Sequence, residues 1–145
     1  MEKLVTAPSG QFGLSTDDRD WVTAVALVSA ESATTIARGN LVMWDTTTAG
    51  RILQHTTAGN VYRSVGIALE AIAPGQTGLV AVQGIVRDCL SSGAIAQFDT
   101  VIRSGATAGA VATDVPSVVT DIGNYVGIAL TAAASNLVTL WVGKF

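Results

Sequence analysis

Charge is what this 145-residue chain has least of. Asp, Glu, Lys and Arg make up only 13% of it, about half the ~25% of an ordinary soluble domain. A surface so poor in charge repels copies of itself weakly, which predicts an oligomer or a resident of a larger assembly. Positive charge is scarcer still. The two lysines, Lys3 and Lys144, lie at the ends, and the arginines (Arg19, Arg38, Arg51, Arg63, Arg87, Arg103) are scattered singly. With a net charge of −3, the chain lacks the clustered cations that phosphate binding needs, so no nucleic acid is expected as a partner.

Cysteine occurs once (Cys89) and histidine once (His55). A lone cysteine excludes an internal disulfide and a cysteine metal cluster; it reads as a small buried hydrophobe in a protein made in a reducing compartment. His55 would need a nucleophile and an acid to work as a hydrolase base, and there is no G-x-S-x-G phrase. Its neighbours Gln54, Thr56 and Thr57 predict a polar surface loop. The glycines follow no phosphate-binding spacing, and Gly105, Gly109 and Gly123 fall where hairpin turns are expected. Asp17, Asp18 and Asp20 are bunched too tightly for a calcium loop. Glu31, Glu70, Asp88 and Asp99 stand apart, with nothing to favour any pair as glycosidase carboxylates. The sequence therefore predicts no catalytic residue, cofactor or metal ligand. Apolar stretches such as Val22 to Ala30 fall short of the ~20 residues of a membrane span. The N-terminus also lacks a signal-peptide pattern, so a soluble chain with no membrane partner is expected.

What the chain does have is a repeated pattern. Val65-Gly66-Ile67-Ala68-Leu69 returns as Val126-Gly127-Ile128-Ala129-Leu130. Upstream, Ile36-Ala37 matches Ile95-Ala96, Asn40 falls on Asp99, Val42 on Val101, Met43 on Ile102, Ala49-Gly50 on Ala108-Gly109, and Ile52 on Val111. The matched positions are apolar residues and glycines, so the pattern concerns architecture and not chemistry. It predicts two β units, over about 36–86 and 95–143, too short to bury separate cores and so packed on each other. Val65, Ile67 and Leu69, with Val126, Ile128 and Leu130, are the expected core positions, Leu69 and Leu130 being equivalent and inward-facing.

The elements read mainly as strands. Trp21 to Val28 is β-branched and aromatic, and Asn40 to Asp45 with Arg51 to Gln54 looks like a hairpin. Val65 to Ala71 is followed by the Pro74-Gly75 turn and a strand over Leu79 to Val86, with Gly84 a candidate bulge. Thr100 to Arg103, Ala110 to Thr113, Tyr125 to Leu130 and Leu137 to Val142 repeat the pattern. Trp21, Trp44 and Trp141 lie in these strands, which predicts core or subunit packing for each. Alanine-rich Ser29 to Arg38 and Ser91 to Gln97 are each expected to form a short helical turn. The predicted fold is mainly β: a small antiparallel barrel or sandwich of two repeated units, with one or two short helices. Residues 1–20 have no strand or helix period and are expected to form an extended N-terminal arm beside a single β domain at 21–145. Leu4, Val5, Phe12 and Leu14 in that arm are candidate anchors on a partner.

Two-unit β composition also describes lipoate and biotin carrier domains, but those need a lysine at a central hairpin, and both lysines here are terminal. A different family fits. Val65 to Ala71, the Pro-Gly turn, Val80 to Val86, and the closing phrases Val126 to Leu130 and Leu137 to Val142 resemble the capsid cement proteins of tailed phages, the class of the phage lambda head decoration protein. The resemblance spans about residues 36–145; the chain is longer than the lambda example and its repeat is clearer. It implies a non-enzymatic structural protein with no catalytic residue to carry over. It also implies a homotrimer that assembles in the host cytoplasm, binds the major capsid protein on the outer surface of the virion's icosahedral head, and bridges neighbouring capsomers. The alternative is a head-fibre or tail-associated receptor-binding (adhesin) β-domain. That class favours exposed aromatic platforms in long loops, and aromatics here are only 6%.

Overall fold

β-branched and aromatic runs alternate with glycine- and threonine-rich turns, and each run becomes a strand. In a computed structural model, which describes residues 22–57, 63–113 and 125–143, the strands are β1 (Val22–Ser29), β2 (Leu41–Trp44), β3 (Arg51–Gln54), β4 (Ser64–Ala68), β5 (Thr77–Leu90), β6 (Thr100–Arg103), β7 (Val111–Thr113), β8 (Tyr125–Ala129) and β9 (Leu137–Val142). Leu4, Val5, Phe12 and Leu14 of the expected arm, and Trp21, lie outside the described residues.

No helix occurs among the described residues, which corrects the expectation at residues 29–38 and 91–97. Both segments use their backbone groups across the fold and not along a helix. Ile36 N–H donates to Ile72 O (2.9 Å) and Ile72 N–H donates back to Ile36 O (2.8 Å). Ser92 N–H donates to Val111 O (2.8 Å), and Ile95 O accepts from Ala133 N–H (2.9 Å).

Strands β1 to β5 close into a five-stranded barrel in the order β1-β3-β2-β4-β5, with β5 returning to β1. Neighbours are antiparallel except β1 and β3, which pair in parallel at Val28↔Arg51 and Ser29↔Ile52. The expected purely antiparallel sheet is impossible in such a ring. Directions cannot alternate all the way round an odd number of strands, so one pair must run parallel.

Strand β5 belongs to more than this barrel. Its first half pairs with β4 and β1, and its second half pairs with β9, from which the sheet continues β9-β8-β6-β7. A parallel bridge from Ser91 to Val111 brings β7 back beside the end of β5. Ala30 N–H donates to Ile52 O (2.8 Å) beside the β1–β3 pair, as Ser92 N–H does to Val111 O (2.8 Å). The boundary expected at residue 86 thus falls inside one continuous strand. Gly84, with φ +113°, is not the bulge itself. The register slips at Val82, between Thr23↔Gln83 and Ala24↔Ala81.

The motif Val-Gly-Ile-Ala takes the same irregular form in both places. Val42 pairs with Gly66 and Met43 with Ser64, leaving Val65 as an extra residue. Val101 pairs with Gly127 and Ile102 with Tyr125, leaving Val126 extra. The glycine that follows allows close backbone approach. A Cβ on Gly66 would strike the carbonyl oxygen of Ala81, and one on Gly127 that of Trp141. Such bulges reverse the in–out alternation of a strand. Ile36, Val42, Ile52, Ala68, Ile72 and Val80 pack as one core, with Val65 and Leu27 against it. A larger core holds Ile95, Val101, Val111, Val126, Ala129 and Leu140, and Leu41, Ile67 and Ala81 join it from the first strands.

Candidate functional site

The expected core positions separate once the bulges are taken into account. Ile67 is fully buried and Val126 nearly so, both in the larger core. Leu69 is partly buried against that core and Val65 against the smaller one. Ile128 and Leu130 are half-buried. Within each motif the inward partner of the valine is the alanine, Ala68 or Ala129, and the isoleucine faces the other way.

Titratable groups are used to hold the fold. His55, expected in a surface loop, is instead buried at 1% exposure. Its N–H donates to Leu41 O (2.9 Å) and its carbonyl accepts from Gly109 N–H (2.8 Å), while Nδ1 lies 3.0 Å from Thr56 O. Cys89 is buried with Sγ 3.4 Å from Val86 O, and burial pushes its thiol up to about 12. A thiol so hard to ionise is a core side chain and not a nucleophile. Glu31 accepts from Gln54 N–H (2.8 Å) and Glu70 from Leu79 N–H (3.0 Å). Asp99 accepts from Ala96 N–H (2.8 Å) and Thr113 Oγ1 (3.0 Å). Asp88 lies 3.7 Å from the exposed guanidinium of Arg38. Among the described residues no three His, Cys, Asp or Glu side chains converge as a metal site.

Where the two halves of the strand order meet, the β6–β7 turn inserts against β2 and β3. Leu41 N–H donates to Gly109 O (2.7 Å), Gln54 Nε2 to Ala108 O (3.2 Å) and Arg103 Nη1 to Thr57 O (3.4 Å). The junction leaves a crevice of about 10 Å³ lined by Leu41, Val65, Tyr125, Val126 and Val142, the space of a single water.

The sequence profile of the phage cement protein family matches residues 46–143. The chain belongs to the phage cement protein family. Its role is therefore structural and associated with the phage capsid, and the capsid is its partner and its location. Among curated proteins none matches the chain.

For a cement protein the informative residues are large apolar side chains left in solvent. Among the described residues these are Val25, Trp44, Leu79, Phe98, Leu137 and Trp141. Trp44 and Trp141 are 40% and 46% exposed, which takes both out of the core. Phe98 was not singled out by its own neighbourhood in sequence, yet it is 71% exposed at φ +70°. The signal was present in the repeat alignment, where Phe98 stands opposite Gly39, itself at φ +86°. Both positions have a left-handed backbone, which glycine adopts freely and phenylalanine does not.

Proposed function

We propose that this cement protein binds the outer surface of an icosahedral phage head and, as a homotrimer, bridges neighbouring capsomers. The observation that carries the reading is the family match over residues 46–143, on a chain whose exposed features are apolar side chains and backbone-rich turns. Linking three modest shell contacts makes the second and third effectively intramolecular, raising avidity by about 10²–10⁴. Residues 21–145 act as one β domain made of two copies of a single unit, and residues 1–20 as an arm that docks on shell protein through Leu4, Val5, Phe12 and Leu14. An arm that adds a strand to a shell edge gains main-chain hydrogen bonds with little demand on sequence. Its ordering cost suits binding to a correctly shaped, expanded shell.

Sedimentation of purified protein with expanded, undecorated heads tests this directly. Co-sedimentation that saturates at a multiple of three copies per binding position is the expected result. Protein that stays in the supernatant at every concentration would exclude shell binding, and binding only to host cells or envelope extracts would favour the receptor-binding alternative.

A further inference from the structure

At its Leu41 end the β2–β3 ladder is interrupted by one residue of another element. Met43 pairs with Leu53, and beyond it Asp45 N–H donates to Arg51 O (2.9 Å). Hydrogen-bonded pairs alternate along an antiparallel ladder, so Leu41 and His55 stand where the next such pair belongs. One of its two bonds is in place, with His55 N–H donating to Leu41 O (2.9 Å). Gly109 takes the place of the other. Leu41 N–H donates to Gly109 O (2.7 Å), and Gly109 N–H donates to His55 O (2.8 Å). One glycine thus bridges the donor and the acceptor that a regular ladder would join directly.

The contacts beside this glycine are ones that water can replace. Gln54 Nε2 donates to Ala108 O (3.2 Å) at the surface, and Arg103 Nη1 makes a long contact with Thr57 O (3.4 Å). Gly109 sits at φ +72°, and a Cβ there would meet the side-chain amides of Gln54 and Asn40. If the turn withdraws, its own backbone groups go to solvent, while Leu41 N–H and His55 O are left facing each other. Neither is then buried without a partner, which is the cost that ordinarily keeps such a contact shut.

We propose that the β6–β7 turn is a retractable strap on the β2–β3 ladder. In one state Gly109 is inserted; in the other the turn is out and Leu41 N–H donates directly to His55 O. Strand β5 pairs within both strand sets, so they stay joined while the strap is withdrawn. Withdrawal uncovers Gly109, Ala110 and His55, all buried, which keeps it the minor state and a local opening. The chain so gains one adjustable joint between its strand sets. The joint is independent of shell binding and of self-association.

Amide hydrogen exchange of the full chain, read residue by residue by NMR and corrected for intrinsic rates, tests this. Withdrawal frees Gly109 N–H while Leu41 N–H passes to His55 O. Protection at Gly109 should therefore be at least about tenfold lower than at Leu41. A smaller difference, or lower protection at Leu41, overturns the proposal, because the ladder then does not reseal behind the turn. Gly109→Pro forces the withdrawn state, since proline has no N–H and cannot take a φ of +72°. That variant should keep the natural chain's far-ultraviolet circular dichroism and the protection at Leu41. Loss of protection at Leu41 in the variant, or a variant that does not fold, overturns the proposal as well. Either outcome leaves head sedimentation of the natural chain unaffected.

Discussion

Gly84 faces Val22 across one edge of β5 and Val142 across the other. At this residue the strand passes from the closed barrel to the sheet that continues through β9 to β7. The two sets of strands therefore share an unbroken backbone and one continuous core, to which Leu41 and Ile67 contribute from one side and Val101 and Leu140 from the other.

That sharing predicts a single unfolding transition. Trp44 reports on the first strand set and Trp141 on the second. Urea titrations of Trp44→Phe and Trp141→Phe, followed by fluorescence and by far-ultraviolet circular dichroism, should give coincident curves. Two separable transitions would mean that the sets fold independently.

Equivalent motif positions should not be energetically equivalent. Ile67 is fully buried, so Ile67→Ala should cost about 2–5 kcal/mol. Ile128 is half-buried, and Ile128→Ala should cost roughly 1 kcal/mol or less in the isolated chain. Equal losses in urea denaturation would show that the bulge at Val126 does not turn Ile128 outward.

The two matching turns should differ in their response to acid. Asp45 accepts from Thr47 N–H (3.0 Å) and Thr48 N–H (2.9 Å), and these bonds, that from Thr47 foremost, hold its carboxyl below its ordinary value of 3.8. A depressed carboxyl stabilises the folded state above the unfolded pKa and loses that effect as pH falls through the folded value. In the other turn the buried Ser104 Oγ accepts from Ala106 and Thr107 N–H, both at 3.0 Å. Ser104→Ala should therefore cost roughly 1–2 kcal/mol at any pH. Asp45→Asn should remove one component of the stability loss between about pH 5 and about pH 2. Denaturation midpoints of the two variants across that range check both.

Cys89 should set a limit at high pH. Its folded thiol titrates at about 12 against an ordinary value of 9.0. Stability from this group is complete below pH 9.0 and falls as pH rises towards about 12, because the unfolded chain gives up its proton first. Urea midpoints should decline less steeply over this interval for Cys89→Ala than for the natural chain. Native protein at pH 8 should also leave its thiol unmodified by iodoacetamide until denaturant is added.

Deleting residues 2–16 should leave folding and oligomer mass intact while weakening head binding severely. Phe12→Ala should do part of the same, as a buried aromatic anchor is typically worth a few kcal/mol at an interface. Truncated protein that sediments with heads as tightly as the full chain would remove the arm from the binding surface.

By itself the sequence determined the strands, the turns and the absence of a recognisable catalytic motif. β-branched runs and glycine turns act within a few residues of themselves, so Arg51 to Gln54, Thr100 to Arg103 and Leu137 to Val142 are where the pattern puts them. The family was legible too, because the Val-Gly-Ile-Ala phrases carry the glycines that the Ala81 and Trp141 carbonyls require. Which way each side chain faces was decided only in the tertiary structure. One extra residue at Val65 and at Val126 reverses the alternation on which a strand-by-strand reading depends. Coverage was beyond the sequence as well. His55 is buried because a turn more than fifty residues away hydrogen-bonds its carbonyl. Ile67 and Ile128, identical in local sequence, differ because β8 and its neighbours pack over the first, whereas the described residues leave the second half-buried.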